Sequence, residues 1–318
     1  MITIKLKDGK EKQFESAISL ADAAKAISNS LGRDAIVAKV NGELTDLRDP
    51  IVDGSEVEFF TKEDKEGLFT LRHTASHVMA QAIQHLFPGT KFAIGPAIDD
   101  GFYYDLDSDH VFSQEDFAAI EKEMAKISKE NIPLVKKVVS RAEALKFFQD
   151  KGQDYKVMLI NDLPEDAQIS LYEQGDFTDL CRGPHVDNTK LCKNFKLVKY
   201  SGVYWKGDAN NHVMQRIYGV CFPTAEELEE HLKLLEEAKE RDHRKIGKEM
   251  ELFMSDDLIG RGLPMFLPKG YTVWQELENY IKRKERKLGY LHVMTPCVGT
   301  VNLYKTSGHW DHYKENMF

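Results

Sequence analysis

The sequence predicts a multidomain α+β protein. Three observations lead to this reading. Residues 1–62 hold short runs that alternate apolar and polar positions around one helical stretch. Residues 71–87, LRHTASHVMAQAIQHLF, place Leu71, Ala75, Val78, Met79, Ala82, Ile83 and Leu86 at steps of three and four, the pattern of an amphipathic helix. The segments that follow mix capped helices with strands that look antiparallel. At 318 residues the chain exceeds one ordinary domain, and two or three are expected.

Within 1–62, Ile2, Ile4 and Leu6 alternate with polar residues as in a half-buried strand. Asp8-Gly9 and Asn41-Gly42 are hairpin dipeptides. Ser19 is placed to cap a helix through Ala21, Ala24 and Ile27, with Gly32 as its stop. Val57, Phe59 and Phe60 suggest a closing strand. This order suits a ubiquitin-like β-grasp. No catalytic cluster falls within it, so its residues read as a structural or interaction module.

The run KEDKEG, ending at Gly67, reads as a charged link before the amphipathic helix. On that helix His73 and His77 lie one turn apart, opposite the apolar stripe. Alone, such a pair is most simply a solvated face. A second stretch, DFTDLCRGPHVDNT at 176–189, changes this. Cys181 and His185 stand four apart with Gly183-Pro184 between them, which forbids a regular helix and favours a tight loop. Two His on a helix plus a Cys and a His on a loop suit a tetrahedral zinc site. They equally suit a polar catalytic cluster of imidazoles and a thiol. A third stretch, GPAIDDGFYYD at 95–105, is aromatic and strand-like, with acids at Asp99, Asp100 and Asp105.

Phe87-Pro88-Gly89 stops the helix. Ser113 starts another through Phe117, Ile120, Met124 and Ile127, closed by Pro133. LVKKVVS reads as a strand, and Ser140 with Glu143 forms a capping box for the helix after it. YWKGDANNHVMQRIYGVCF, 204–222, reads as strand, turn and strand, with His212 exposed in the turn. Thr224 and Glu227 open a charged helix whose seam is Leu228, Leu232 and Leu235. Glu237 with Arg241, and Glu240 with Arg244, are spaced for ion pairs along it. From about 243 the pattern changes again, and WQELENYIKRKERKLGYLHVMTP reads as a long helix, a glycine turn and a strand ending at Pro296.

Composition bounds the class. A 42% hydrophobic and 30% charged chain is that of an ordinary globular protein. No apolar run approaches the roughly 20 residues of a membrane span. Net charge is −9, which argues against a protein that simply coats nucleic acid. The four cysteines, Cys181, Cys192, Cys221 and Cys297, form no even framework, and a reducing, cytoplasmic setting is the natural expectation. Cys192 and Cys221 read as packing residues.

The strings RHTASH, GPAIDDGFYYD, DLCRGPHV and YWKGDANNHVMQRIYG together resemble the editing domain of bacterial threonyl-tRNA synthetases. DHRKIGKEMELF and TSGHWDHY resemble the entry to the catalytic domain of the same family, and residues 1–62 resemble its TGS domain. The helix–turn–strand at 274–296 resembles motif 1 of class II aminoacyl-tRNA synthetases, a dimer-interface element. Alanyl-tRNA synthetases carry a related editing domain.

The resemblance implies a TGS β-grasp domain at 1–62, an editing domain at 63–223, a linker helix at 224–242 and the start of a class II antiparallel-sheet domain at 243–318. It implies ATP-dependent ligation of threonine to tRNA(Thr) by a full-length homodimer using ATP, Mg2+ and one Zn2+ per subunit. It also implies hydrolysis of mischarged seryl-tRNA(Thr) by the editing domain, with no cofactor required there. Motifs 2 and 3 and the catalytic zinc ligands are absent from these residues, so the expectation is the amino-terminal portion of a longer enzyme.

The site residues implied are His73, His77, Lys156, Asp179, Cys181 and His185. His73 and Lys156 are expected to handle water and leaving group, and Asp179 to hold the substrate's amino group. Tyr104, Tyr204, Lys206 and Arg216 are expected to meet the tRNA. No metal is favoured at the editing site; the two His on the helix with Cys181 and His185 are its ligands if one binds.

Rival readings are few. A zinc protease helix needs Glu after the first His, and Thr74 stands there instead. A zinc-binding RNA-binding module and a free-standing trans-editing deacylase are the other two.

Overall fold

The computed structural model describes residues 1–260 and 262–317. They form two compact units, Met1–Leu234 and Leu235–Phe318. The architecture is mixed α+β with several separate sheets, as the residue pattern predicts.

The first unit opens with a five-stranded sheet in the order Glu11–Phe14, Ile2–Leu6, Glu56–Thr61, Ala35–Val40, Glu43–Thr45. Its first and last strands in sequence pair parallel, Lys5 opposite Glu56, and the other pairings are antiparallel. Both hairpin dipeptides sit at turns with positive φ: Gly9 at +81°, Asn41 at +52° and Gly42 at +86°. The helix Leu20–Ile27 packs Leu20, Ala23 and Ala24 onto this sheet, capped by the Ser19 side chain accepting from Asp22 N–H. Gly32 is not its stop. Ser28 ends the helix and caps a second one, Asn29–Asp34, which contains Gly32. There a side chain would collide with the Lys25 backbone, since a Cβ at Gly32 lies 2.6 Å from Lys25 Cα.

The next helix runs Lys65–Leu86, so half of the supposed link is helical. Its apolar stripe forms the main core with Phe102, Tyr104, Leu106, Ile120, Met124 and Ile217. Two sheets flank it. One is antiparallel, in the order Phe177–Leu180, Ile169–Gln174, Leu134–Val139. The other runs Phe195–Tyr204, Val213–Cys221, Gly101–Asp107, with Lys91–Phe92 and Ala97–Ile98 both pairing the last.

The expected polar face of this helix is also buried. Thr70, Thr74, Ser76 and His77 are each no more than 1% exposed. The strand Phe177–Leu180 and the loop beyond it cover that face, so amphipathic spacing here marks an apolar core on one side and a polar interior on the other.

The helix Phe117–Glu130 is entered through a Ser113–Asp116 capping box and ends at Asn131 in the left-handed region, before Pro133. Ser140 and Glu143 complete the second capping box. Thr224 and Glu227 cap the helix Ala225–Glu240 by the same reciprocal bonds. Glu237 does pair with Arg241, at 3.4 Å. Arg244 instead turns to Asp242, and Glu240 to Lys245, because the helix ends at Glu240 and the spacing along it no longer applies.

In the second unit the helix Pro268–Lys287 follows a two-stranded ribbon, Phe253–Met254 with Met265–Phe266. Gly289 turns the chain at φ +85°. The expected strand to Pro296 is not formed: residues 290–300 carry no strand, for a strand needs a partner edge. No helix among the described residues is long and apolar enough to cross a membrane.

Candidate active site in a buried histidine–cysteine cluster

The helix Lys65–Leu86 projects His73 and His77 from successive turns toward the loop after strand Phe177–Leu180. Along that strand alternate residues turn inward, and Asp179 sits opposite Tyr172 in the antiparallel register. Cys181 is pinned just beyond it: its N–H donates to Ser170 O at 3.2 Å, and Ser170 Oγ donates to its carbonyl at 2.6 Å. Gly183 then turns back with φ +74°, where a Cβ would lie 2.1 Å from Tyr172 Oη. Only glycine passes this point, and the turn delivers His185.

His73, His77, Cys181 and His185 converge, their ligating atoms all within 4.8 Å of one another. Cys181 Sγ lies 3.3 Å from His73 Nε2 and 3.2 Å from His185 Nε2. The His73 and His185 rings stack at 4.2 Å, and the His77 ring lies 4.2 Å from that of His185. His77 and His185 are fully buried, whereas His73 and Cys181 are half-buried and form the mouth.

Hydrogen bonding assigns the tautomers. His73 Nδ1–H donates to Pro184 O at 3.1 Å. Thr74 Oγ1 donates to Thr70 O and so accepts from His185 Nδ1–H at 3.1 Å. Both Nε2 atoms are therefore lone pairs aimed at one thiol, which has a single proton. His77 Nε2 faces Asp179 Oδ2 at 3.3 Å, and its Nδ1 is buried without a partner. The cluster holds more acceptors than donors. Burial pushes His73 below its ordinary range and His185 well below it, so both are neutral at pH 7.

Behind His77 stands a second layer. Asp179, 2% exposed, pairs with Lys156 and accepts from Tyr104 Oη. Lys156 Nζ also donates to Tyr104 Oη at 2.9 Å. Burial alone would raise the Asp179 carboxyl, but the Lys156 ammonium and His77 override it and hold it below the usual carboxylate range. Burial and the adjacent carboxylate push Tyr104 far up, so it stays a neutral donor.

The structure thus brings His73, His77, Cys181 and His185 together, with Lys156 and Asp179 directly behind. Asp179 is 2% exposed; its Oδ2 accepts from Tyr104 Oη and faces His77 Nε2, and its Oδ1 lies beside the Lys156 ammonium. Tyr104 is fully buried and presents no ring face to RNA; its partners are Asp179 and Lys156.

The other three residues expected to meet RNA sit apart from the cluster, on the strand pair Phe195–Tyr204 and Val213–Cys221 and its turn. Tyr204 is exposed. Lys206 pairs with Asp162. Arg216 is bidentate to Asp105 and lies 3.8 Å over the Tyr103 ring. Lys206 also lines a cleft of about 430 Å3 with Lys91, Asp154, Tyr155 and Trp205.

Thr74 and Tyr172 were missed from the sequence. Thr74 fixes the His185 tautomer and also accepts from Val186 N–H. Tyr172 packs its ring 4.5 Å from that of His185. No alternation marks the latter, since Ile169, Ser170, Leu171 and Tyr172 are all buried in that strand.

The loop half of this site falls inside a family match. Residues 169–218 match the threonyl and alanyl tRNA synthetase second additional domain, and residues 2–61 match the TGS domain. The chain carries a TGS domain and the editing domain of threonyl and alanyl tRNA synthetases.

Its editing domain match includes Asp179, Cys181 and His185, while the helix bearing the other two histidines lies outside it. Over the whole chain it is 54% identical to the threonine–tRNA ligase of Enterococcus faecalis, 53% to that of Finegoldia magna and 51% to that of Geobacillus kaustophilus. It covers 49%, 50% and 49% of those proteins, so it spans about half the length of the curated relatives it matches.

The cluster also has the residue types for a metal. Zinc bonds of about 2.3 Å to sulfur and 2.0–2.1 Å to nitrogen put tetrahedral S and N ligands about 3.6 Å apart. The sulfur–nitrogen spacings here are shorter, at hydrogen-bond contact, and would open by a few tenths of an ångström around an ion. The donor set and the orphaned His77 Nδ1 fit such a group.

Proposed function

We propose that this cluster hydrolyses the ester of serine mischarged to tRNA(Thr), within an enzyme that ligates threonine to tRNA(Thr). The observation that supports it most is the neutral His73 Nε2, a lone pair at the half-open mouth of an otherwise buried polar site in an editing domain.

Ligation needs a check of this kind. Serine lacks only the methyl of threonine, and a missing methyl separates two substrates by only about 10–200-fold. A second site must then remove the wrong product.

In the proposed reaction a water lies over His73 Nε2. His73 accepts its proton as oxygen attacks the ester carbonyl, and Nδ1–H to Pro184 O holds the ring in that tautomer. The carbonyl carbon loses its bond to the ribose oxygen, which leaves with the proton. Asp179 orients His77 through Nε2, and Lys156 and Tyr104 hold Asp179; Lys156 acts from the second layer and does not meet the leaving group. Cys181 lines the mouth and need not attack. A metal, if bound, would be held by the three histidines and Cys181, a four-ligand set that would staple the helix to the loop; the proposed reaction uses only the protein's own groups.

The rest of the reading follows from the relatives' names. The longer protein would use ATP, Mg2+ and a zinc ion in its catalytic domain, bind threonine and tRNA(Thr), and act as a cytoplasmic homodimer. The domain limits 1–62, 63–223, 224–242 and 243–318 belong to the same proposal. Tyr204, Lys206 and Arg216 would meet the tRNA.

Single-turnover deacylation tests the site. Wild type should hydrolyse seryl-tRNA(Thr), and His73→Ala should lose on the order of 10²–10⁴-fold in rate. A wild-type chain inert toward seryl-tRNA(Thr) would remove the proposal.

A further inference from the structure

The β-grasp domain contains no catalytic side chain, yet two of its residues reach the loop that carries His185. Asp46 is 2% exposed and accepts at Oδ2 from His185 N–H at 3.2 Å and from Tyr172 Oη at 2.9 Å. Arg48 is locked to Asp46, with Nη1 at 2.7 and 2.9 Å from the two carboxylate oxygens. The same guanidinium donates onward to three backbone carbonyls across the domain junction. Nε reaches Leu134 O at 2.9 Å, Nη1 reaches His185 O at 3.2 Å and Nη2 reaches Val186 O at 2.7 Å.

Both backbone polar groups of His185 are thus held by the β-grasp domain, while Thr74 holds its ring. Charged, buried hydrogen bonds of this kind fix position strongly. The planar fork of Arg48 meets divergent carbonyls at once, which a lysine ammonium at a single point does not reproduce.

We propose that Asp46 and Arg48 are positioning residues for the hydrolytic site, so that the β-grasp domain is a structural part of that site. The inference rests on the hydrolytic reading of the cluster. Asp46 and Arg48 set where His185 and Tyr172 stand, and through His185 they set Cys181 Sγ at contact distance from both imidazoles. A displacement of reacting groups by about 1 Å is enough to lower a rate on the order of a hundredfold.

A second contact between the same domains supplies a control. Lys136 Nζ bonds Asp49 at 2.6 and 2.7 Å, and among the described residues its side chain makes no hydrogen bond or ion pair with the loop. A general need for domain docking would show there as well.

The experiment is single-turnover deacylation of seryl-tRNA(Thr) by the 318-residue chain, with enzyme concentration varied to separate the maximal rate from half-saturation. Asp46→Asn and Arg48→Lys should each lower the maximal rate by about tenfold to a hundredfold. Half-saturation should stay within about twofold, and Lys136→Ala should keep both values within about twofold of wild type. Thermal unfolding identifies any variant that fails to fold; Arg48→Lys keeps charge and stem and serves if Asp46→Asn does not fold.

Wild-type rates in both Asp46→Asn and Arg48→Lys would overturn the positioning role, as would an equal loss in Lys136→Ala. Absence of hydrolysis in wild type is a different result and removes the reading of the cluster itself.

Discussion

His77 Nε2 lies 3.3 Å from Asp179 Oδ2, with both side chains no more than 3% exposed. This contact joins the histidine–cysteine cluster to the Lys156–Tyr104 layer behind it. It also separates the two helix histidines into different roles. His73 borders solvent, while His77 is part of the interior.

Asp179→Ala should therefore be a stability mutation as much as a site mutation. It leaves the Lys156 ammonium buried and unpaired, a change that destabilises by about 3–5 kcal/mol. Chemical unfolding of the first unit measures this. A loss under about 1 kcal/mol would mean the pair is not buried as described. His77→Ala should also weaken the fold, whereas His73→Ala should leave it nearly intact.

Replacing Cys181 distinguishes water attack from covalent catalysis. Cys181→Ala should keep hydrolysis within about tenfold of wild type, while His73→Ala falls by two orders of magnitude or more. Equal collapse of both variants, or an acyl-enzyme trapped on Cys181, would assign the thiol as nucleophile.

Stability should fall as pH drops from about 7 toward 5. His73 and His185 are neutral in the fold, with pKa values below the unfolded value near 6.5. Below that value the unfolded chain takes up protons that the native cluster refuses. Stability is complete above the unfolded pKa and is lost as pH falls toward the folded ones. His185→Gln should flatten this limb in unfolding curves taken at pH 5, 6 and 7. A slope unchanged by that variant would show that these rings are not the cause.

Chelation tests the part played by metal. Hydrolysis of seryl-tRNA(Thr) should survive extensive treatment with EDTA, since the proposed reaction uses the protein's own groups. Loss of activity that returns with stoichiometric zinc would place the ion in the reaction at the His–Cys cluster.

What the sequence disclosed follows how local each signal is. Asp8-Gly9 and Asn41-Gly42 announce their hairpins because positive φ is a demand on those residues alone. The capping boxes at Ser113, Ser140 and Thr224 are equally local. The cluster's members were legible only together: two His one turn apart read alone as a solvated face, and the Cys-Arg-Gly-Pro-His loop changed that reading. His77's burial was not, because the strand that covers it comes about a hundred residues later.

Nothing near Asp46 or Arg48 marks a role in a site formed by residue 185; only tertiary packing does so. Tyr104 misled for a similar reason. An aromatic in a strand can face a base or the core, and pairing with Val213–Cys221 turned it to the core. Residues 290–296 have strand composition, but composition supplies no neighbouring edge.

The central claim is that the cluster selects serine by excluding the methyl group of threonine. The two esters share every polar group, so hydrogen bonds to those groups cannot separate them. An extra methyl in a close-packed site costs about 1–3 kcal/mol, and more in rate when it shifts the attack geometry. Single-turnover deacylation of seryl-tRNA(Thr) and threonyl-tRNA(Thr), side by side on the wild-type chain, measures this directly. The account predicts hydrolysis of the seryl ester at least a hundredfold faster, with half-saturation differing far less. Equal rates on the two esters would contradict it.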